Sequence, residues 1–332
     1  MAEILITGAA GFIGAHCCAA LSARGHSVTG IDNFNAYYAP ALKQARTAQL
    51  AALAKVHAVD LNDQKALTAL MAETQPAIVI HLAAQAGVRY SFEKPFDYAN
   101  SNLLGQVGIL EAVRNQKSVN RLIYASSSSV YSGVTEVPFH EGMKLGTPKS
   151  LYAATKIADE VLSDTYSSLY GIDAVGLRFF TVYGPWGRPD MAYWLFADAI
   201  LEGRPLKLFN QGDVRRDFTY IDDIVAPIVR MVEEAAGSRP ASPAHRLYNI
   251  GNHSPTPVRD MIGHLERLLG KAAAVELTDL PPGDMVETYA DVDRLQGDYG
   301  FAPSTPLETG LERFVSWYLP WRAAAARGQP AL

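Results

Sequence analysis

Short apolar runs alternate with helical stretches through the first half of the chain. Ile4-Leu5-Ile6, Ser27–Ile31, Val56–Val59, Ile78–Leu82, Arg121–Ala125 and Ala174–Phe180 read as strands. Ile78–Leu82 is almost wholly apolar, without the alternation of a half-exposed strand, which suits a strand buried on both faces. Between these runs, Ala15–Arg24, Ala41–Leu53, Lys65–Glu73, Tyr98–Arg114 and Leu151–Tyr170 read as helices, the last with Leu151, Ala154, Ala158, Val161, Leu162 and Leu169 as its apolar positions. A strand followed each time by a helix predicts an α/β fold built on a doubly wound parallel sheet. In the second half, Met191–Glu202, Ile221–Glu234 and Val258–Leu269 read as helices, and Leu206–Phe209 and Leu247–Ile250 as strands. Thr181–Asp190, Gly237–Ala244 and Pro281–Asp284 read as loops, and the tail from Arg322 is expected to fray.

The first strand runs into Gly8-Ala-Ala-Gly11-Phe12-Ile13-Gly14. Glycines there permit a tight turn, let backbone N–H groups approach a pyrophosphate, and allow close helix–strand packing, as in a Rossmann-type fold. Asp32 closes the second strand about twenty residues on, where a carboxylate accepts hydrogen bonds from ribose hydroxyls and repels a 2′-phosphate. Asn33 follows it in place of an arginine, so NAD is expected over NADP. Asp60-Leu61 is placed near the adenine, and Leu82, Ala83 and Ala84 end a strand with small side chains past which a cofactor can run. Ligands on such sheets sit at the carboxyl ends of the strands, where Asp32, Asp60, Ala83 and the run Ser126–Ser129 all fall. In Tyr152-Ala-Ala-Thr-Lys156 the tyrosine and lysine share a helix face, and an ammonium beside a phenol favours the phenolate, a base near neutral pH. Asn102 is a candidate to hold neighbouring loops. Arg89, Arg188 and one of Arg215 and Arg216 are candidates for phosphate or carboxylate oxygens.

Composition narrows the picture without changing it. The 332 residues are 48% hydrophobic and 19% charged, with a formal net charge of −5. Nothing marks a nucleic-acid or membrane surface, so an anionic ligand would be held by local arginines. The two cysteines, Cys17 and Cys18, are neighbours, and no Cys/His cluster has metal-ligand spacing, so no metal is expected and a cytoplasmic setting is. Neither a signal peptide nor a transmembrane run is expected.

These motifs together resemble an extended short-chain dehydrogenase/reductase of the nucleotide-sugar epimerase type, from Ile4 to about Tyr318. Within that group the chain most resembles the UDP-glucuronate 4-epimerases, through Asp32-Asn-Phe-Asn35 with Tyr37-Tyr38, Ser150–Lys156, and the long run Gly176–Met191. The resemblance implies a tightly held NAD on residues 1–180, with a return segment at about 217–252, and a UDP-sugar lobe over 181–332. It implies cofactor contacts at Gly8, Gly11, Phe12, Ile13, Gly14, Asp32, Asn33, Asp60, Leu61, Leu82, Ala83, Ala84, Asn102, Tyr152 and Lys156. Ser127 matches the serine on the sugar C4 hydroxyl, with Ser128 beside it, and Arg216 matches an arginine on the diphosphate. Arg89, Ser129, Thr181, Arg188 and Phe209 join the substrate side. The implied reaction inverts C4 of UDP-glucuronate to UDP-galacturonate through a 4-keto sugar, in a homodimer paired through the helices Tyr98–Arg114 and Leu151–Tyr170. Two departures stand out. Tyr131-Ser132-Gly133 replaces a Tyr-Gly pair common in relatives, and Pro282 replaces an arginine of the UDP-galactose epimerases. Other readings stay open: a UDP-glucose/UDP-galactose epimerase, a uronate decarboxylase, or a catalytically silent NAD-binding module. The absence of an acid within Ser127–Ser129 argues against a decarboxylase.

Overall fold

The structure is a computed structural model that describes residues 1–236, 242, 244–281 and 283–327. Most of the Gly237–Ala244 loop and Pro282 lie outside the described residues. The first half gives β1 (Glu3–Thr7), α1 (Phe12–Ala23), β2 (Ser27–Asp32), α2 (Pro40–Leu50), β3 (Lys55–Ala58), α3 (Gln64–Thr74) and β4 (Ile78–His81). Short helices α4 (Tyr90–Glu93) and α5 (Pro95–Tyr98) follow, then a π-helical turn Ala99–Leu104, α6 (Gly105–Arg114), β5 (Arg121–Ser127), α7 (Leu151–Tyr170) and β6 (Ala174–Phe179). The second half contributes β7 (Thr181–Tyr183), α8 (Ala192–Glu202), β8 (Leu206–Phe209), β9 (Arg215–Tyr220), α9 (Ile221–Ala235), β10 (His245–Ile250), β11 (Pro255–Pro257), α10 (Val258–Leu269), β12 (Val275–Thr278), α11 (Asp293–Tyr299) and α12 (Leu307–Ala326).

Seven parallel strands form the main sheet in the order β10-β6-β5-β4-β1-β2-β3. The order reverses between β1 and β4, which opens a crevice at their carboxyl ends. Strand β10 returns the chain to this sheet after β7 to β9 have left it. Buried Ile4, Ile6, Ile78, Ile80, Ile123, Val175 and Leu177 fill one face of the sheet, and Leu5, Val79, Leu122 and Ala174 the other, as two-sided burial requires.

Four expectations are corrected. Helix α1 begins at Phe12, not Ala15, because the extended backbone of Gly11 leads directly into it. The segment after β6 opens with a strand, β7, paired in parallel with β9. The stretch read as one helix from Tyr98 is wound through a wide π turn that carries Asn102. Of the tail expected to fray from Arg322, the described part is helical: α12 runs to Ala326, with Arg322 bound to Asp198 at 3.2 Å and Glu202 at 2.6 Å, and residues 328–332 lie outside the described residues.

Helix α7 overturns a fifth expectation. Its buried residues are Ala153, Thr155, Lys156, Asp159, Glu160, Ser163 and Ser167, whereas Val161 and Leu169 are 61% and 67% exposed. The polar face points inward because most of its side chains find partners. Asn102 donates to Thr155 (2.9 Å), Ser126 to Glu160 (2.5 Å), and Gln106 to Ser163 (2.8 Å). Arg178 on β6 grips both Glu160 oxygens at 2.8 and 2.7 Å. Buried charges persist when paired and hydrogen-bonded in this way. Replacing Arg178 with Met leaves Glu160 buried and unpaired, and is expected to cost roughly 3–5 kcal/mol in urea unfolding, while Val161→Ala changes stability by less than about 0.5 kcal/mol.

Candidate active site

Two clefts meet over the carboxyl edge of the sheet. The first is lined by Gly8, Gly11, Phe12, Ile13, Gly14, Asp32, Asn33, Asp60, Leu61, Leu82, Ala83 and Ala84, and reaches Ser126, Tyr152 and Lys156. Gly8 has φ +70°, and a Cβ on Gly14 would lie 2.1 Å from the Gly8 carbonyl oxygen, so the loop closes only on glycine. The bare backbone and the N-terminus of α1 form an anion cradle. Asp32 accepts from the backbone N–H groups of Ala10 (3.2 Å) and Phe34 (2.8 Å), which fixes its carboxylate with lone pairs to spare for a ribose. Asp60 is held by Asn33 at 2.8 Å. This donor and acceptor set fits an NAD.

The second cleft is lined by Arg89, Ser129, Ser132, Thr181, Asp190, Phe209, Arg216 and Asp284. Arg216 lines it while neighbouring Arg215 faces outward and pairs with Glu287 at 3.3 Å. The Arg216 guanidinium donates to the carbonyls of Arg215 and Val286 and forms no salt bridge among the described residues. Burial lowers its pKa, with Asp284 opposing. Arg89 lies across the Phe209 ring at 4.6 Å and pairs with Asp284 at 2.8 Å. One guanidinium stacked on an aromatic ring and a second lining the same cleft are groups suited to phosphate oxygens.

Tyr152, Arg188, Tyr37, Phe180 and Met191 border both clefts. The Tyr152 ring packs edge-on to Tyr98, with centroids 6.0 Å apart. Below it, Lys156 donates to the Ala125 carbonyl and to Asp159, both at 2.9 Å. Burial works against the Lys156 ammonium, but Asp159 and Tyr152 outweigh it and raise its pKa. Arg188 clasps Asp190 at 3.0 and 2.5 Å, and Tyr37 donates to the same carboxylate at 2.9 Å. Burial opposes the Arg188 charge, yet Asp190 raises its pKa well above the ordinary value.

The sequence placed some residues less well. Ser127 and Ser128 line neither cleft; the Ser127 hydroxyl turns to Ser129, 3.0 Å away, while Ser126 and Ser129 face the two clefts. Asn102 holds neighbouring loops as expected, exchanging hydrogen bonds with the Gln85 backbone and tying that loop to α7, but it lines neither cleft and so is not placed as a direct cofactor contact. Residues that the sequence reading left out include Lys43, 3.7 Å from Asp32, and Arg46. Arg46 is 1% exposed, with no salt bridge among the described residues. It donates to the carbonyls of Ala10 (3.0 Å), Trp186 (2.9 Å) and Gly187 (2.7 Å) and to Tyr38 (2.6 Å). It thus ties the glycine loop to the loop that carries Arg188. The only signal in the sequence was two cations three residues apart on the helix after Asp32.

A family model described as the NAD dependent epimerase/dehydratase family matches residues 4–251. The chain belongs to the NAD dependent epimerase/dehydratase family. A member from Arabidopsis thaliana, UDP-glucuronate 4-epimerase 4, is 47% identical, covering 98% of this chain and 78% of its own. The UDP-glucuronic acid 4-epimerase from Bacillus cereus, solved with UDP-glucuronic acid and NAD, superposes with a TM-score of 0.86 at 35% identity, over 94% of this chain and 98% of that one. A UDP-glucose 4-epimerase from Thermotoga maritima, solved with UDP-glucose, reaches 0.83 at 26% identity, over 95% and 98%. NAD is the cofactor of this chain. Gly14→Ala is expected to weaken NAD binding roughly tenfold or more, read as the bound dinucleotide retained after dialysis.

Proposed function

We propose that this protein is a UDP-glucuronate 4-epimerase that interconverts UDP-glucuronate and UDP-galacturonate through a transient 4-keto sugar. The observation that carries this reading is that Tyr152 and Arg188 border both clefts, so a base and a carboxylate-binding cation meet where dinucleotide and sugar would touch. The long similarity to UDP-glucuronate 4-epimerases supports the uronate over a neutral hexose.

Gly8, Gly11, Gly14 and Asp32 would hold NAD, which would supply reversible hydride chemistry at C4. Tyr152 takes the proton from the C4 hydroxyl and gives it back after the sugar has turned about its link to the diphosphate. Lys156, held as an ammonium, lies on the same helix face one turn on. Ser127 serves the C4 oxygen by exchanging its Ser129 contact for the substrate, with Ser128 next to it in the turn. Arg89, Phe209 and Arg216 hold the UDP end, with the lobe from residue 181 onward, apart from the returning segment 217–252, supplying that side. The 4-keto uronate is a β-keto acid, which loses carbon dioxide when its carboxylate bond aligns with the carbonyl π system. Arg188, Thr181 and Ser129 hold that carboxylate out of alignment; Asp190 occupies Arg188 from one side and leaves the Nη1 group free of Asp190.

The outward apolar side chains Leu104, Val161 and Leu169 on the α6 and α7 side suit a homodimer paired there. The buried, unbridged Cys17 and Cys18 suit a cytoplasmic setting. No helix of the described residues is long and apolar enough to cross a membrane.

Incubation with UDP-glucuronate is expected to give UDP-galacturonate without carbon dioxide or net NADH, and release of a UDP-pentose would contradict the assignment. Tyr152→Phe is expected to lower kcat by roughly 10²–10⁴ with NAD still bound. Arg188→Met is expected to raise KM for UDP-glucuronate roughly 10- to 100-fold, as befits a lost hydrogen bond to a charged group, with a much smaller effect on any turnover of UDP-glucose.

A further inference from the structure

The floor beneath Tyr152 holds a carboxylate that proton transfer at C4 does not require. Asp159 follows Lys156 by three residues on α7 and is fully buried. Its Oδ2 accepts from the Lys156 ammonium at 2.9 Å, and its Oδ1 is buried without a hydrogen-bond partner. A half-satisfied buried carboxylate is costly, so its presence calls for an account. Lys156 gives one of its three N–H groups to Asp159 and another to the Ala125 carbonyl, which draws the ammonium down toward β5.

We propose that Asp159 is a positioning residue that sets the charge under Tyr152, holding the Lys156 ammonium against β5 and, when ionised, cancelling much of its field at the phenol. A lone cation beside a phenol favours the phenolate, whereas a cation paired at 2.9 Å presents a dipole whose potential falls off faster. Asp159 can play this part only if Tyr152 is the base assigned to it above.

The surroundings single out Asp159. Glu160, on the same helix, is committed to Arg178 from β6 and Ser126 from β5. His81 from β4 is buried and donates to or accepts from Thr7, and burial, aided by Lys156, lowers its pKa to about 3. Tyr124 from β5 bonds to His245 from β10, and burial raises the tyrosine while lowering the histidine. From α6, Gln106 is uncharged and donates to Ser163 of α7. Burial pushes the Asp159 carboxyl up to about 6, against the pull of Lys156, so in this shell it is Asp159 that changes charge within the working range of a neutral enzyme.

The test is the pH dependence of kcat/KM for UDP-glucuronate in the NAD-loaded full chain and in Asp159→Asn, which keeps the shape and removes the charge. The acid limb of the variant is expected to lie at lower pH by about 1 unit, because the uncompensated ammonium favours the deprotonated base. Bound NAD is expected to match the wild type. An acid limb at the same or higher pH overturns the proposal, even if Tyr152→Phe is inactive; activity in Tyr152→Phe would instead remove the base on which it depends. If Asp159→Asn does not fold, the same profile is read on Asp159→Ser, and failure of both to fold assigns Asp159 a structural role and overturns the proposal.

Discussion

The buried pairing of α7 with the sheet governs the rest of the molecule. Glu160 is locked between Arg178 and Ser126, and Lys156 between Asp159 and the Ala125 carbonyl. These contacts join one helix to β5 and β6 through charged groups that are costly to leave unpaired inside a protein. They fix both the rotation and the height of α7. Tyr152, one turn before Lys156, is thereby brought to the line where the two clefts meet. A helix seated on its apolar stripe would have turned the phenol elsewhere.

A second constraint links the walls of those clefts. Arg46 gathers carbonyl groups from the glycine loop and from the Trp186–Gly187 turn, and its burial without a carboxylate partner makes those carbonyls its principal support. Trp186 holds a positive φ of 60° there and packs on Trp317 of α12, 5.0 Å away. The turn is thus held from both sides, by a cation within and by an aromatic cluster behind. Arg188, two residues on, inherits that rigidity and reaches the clefts already bound to Asp190 and, through it, to Tyr37. Preorganisation of this sort suits a reaction whose intermediate must turn over without losing its carboxylate.

Much of this was legible in the residues. Six strands of the first half were readable, most plainly β4 and β6, whose burial on both faces leaves runs without alternation. Gly8, Gly11, Gly14 and Asp32 were readable because backbone approach and a strand-end acid leave few alternatives. The inward face of α7 was not, since hydrophobic periodicity treats Lys156, Asp159 and Glu160 as solvated and cannot see Arg178 waiting on β6. Strand β9 and the short β7 escaped notice because Arg215–Tyr220 and Thr181–Tyr183 are brief and polar in part. Ser127 was singled out by its match to a family position, yet Ser126 and Ser129 face the clefts: a strand that ends in a 3₁₀ turn redirects successive side chains in a way that spacing alone does not reveal. The role of Arg46 shows only once the carbonyls it joins, 36 to 141 residues from it in sequence, have been brought together.

The central claim is that a single site removes hydrogen from C4 and restores it to the opposite face of the same sugar. UDP-glucuronate carrying deuterium at C4 tests this most directly, with the UDP-galacturonate product analysed by NMR and mass spectrometry. The geometry predicts that the deuterium remains at C4 of the product, none of it lost to water. Its replacement by solvent hydrogen would contradict the account, because the inversion would then proceed without a hydride held and returned beside Tyr152.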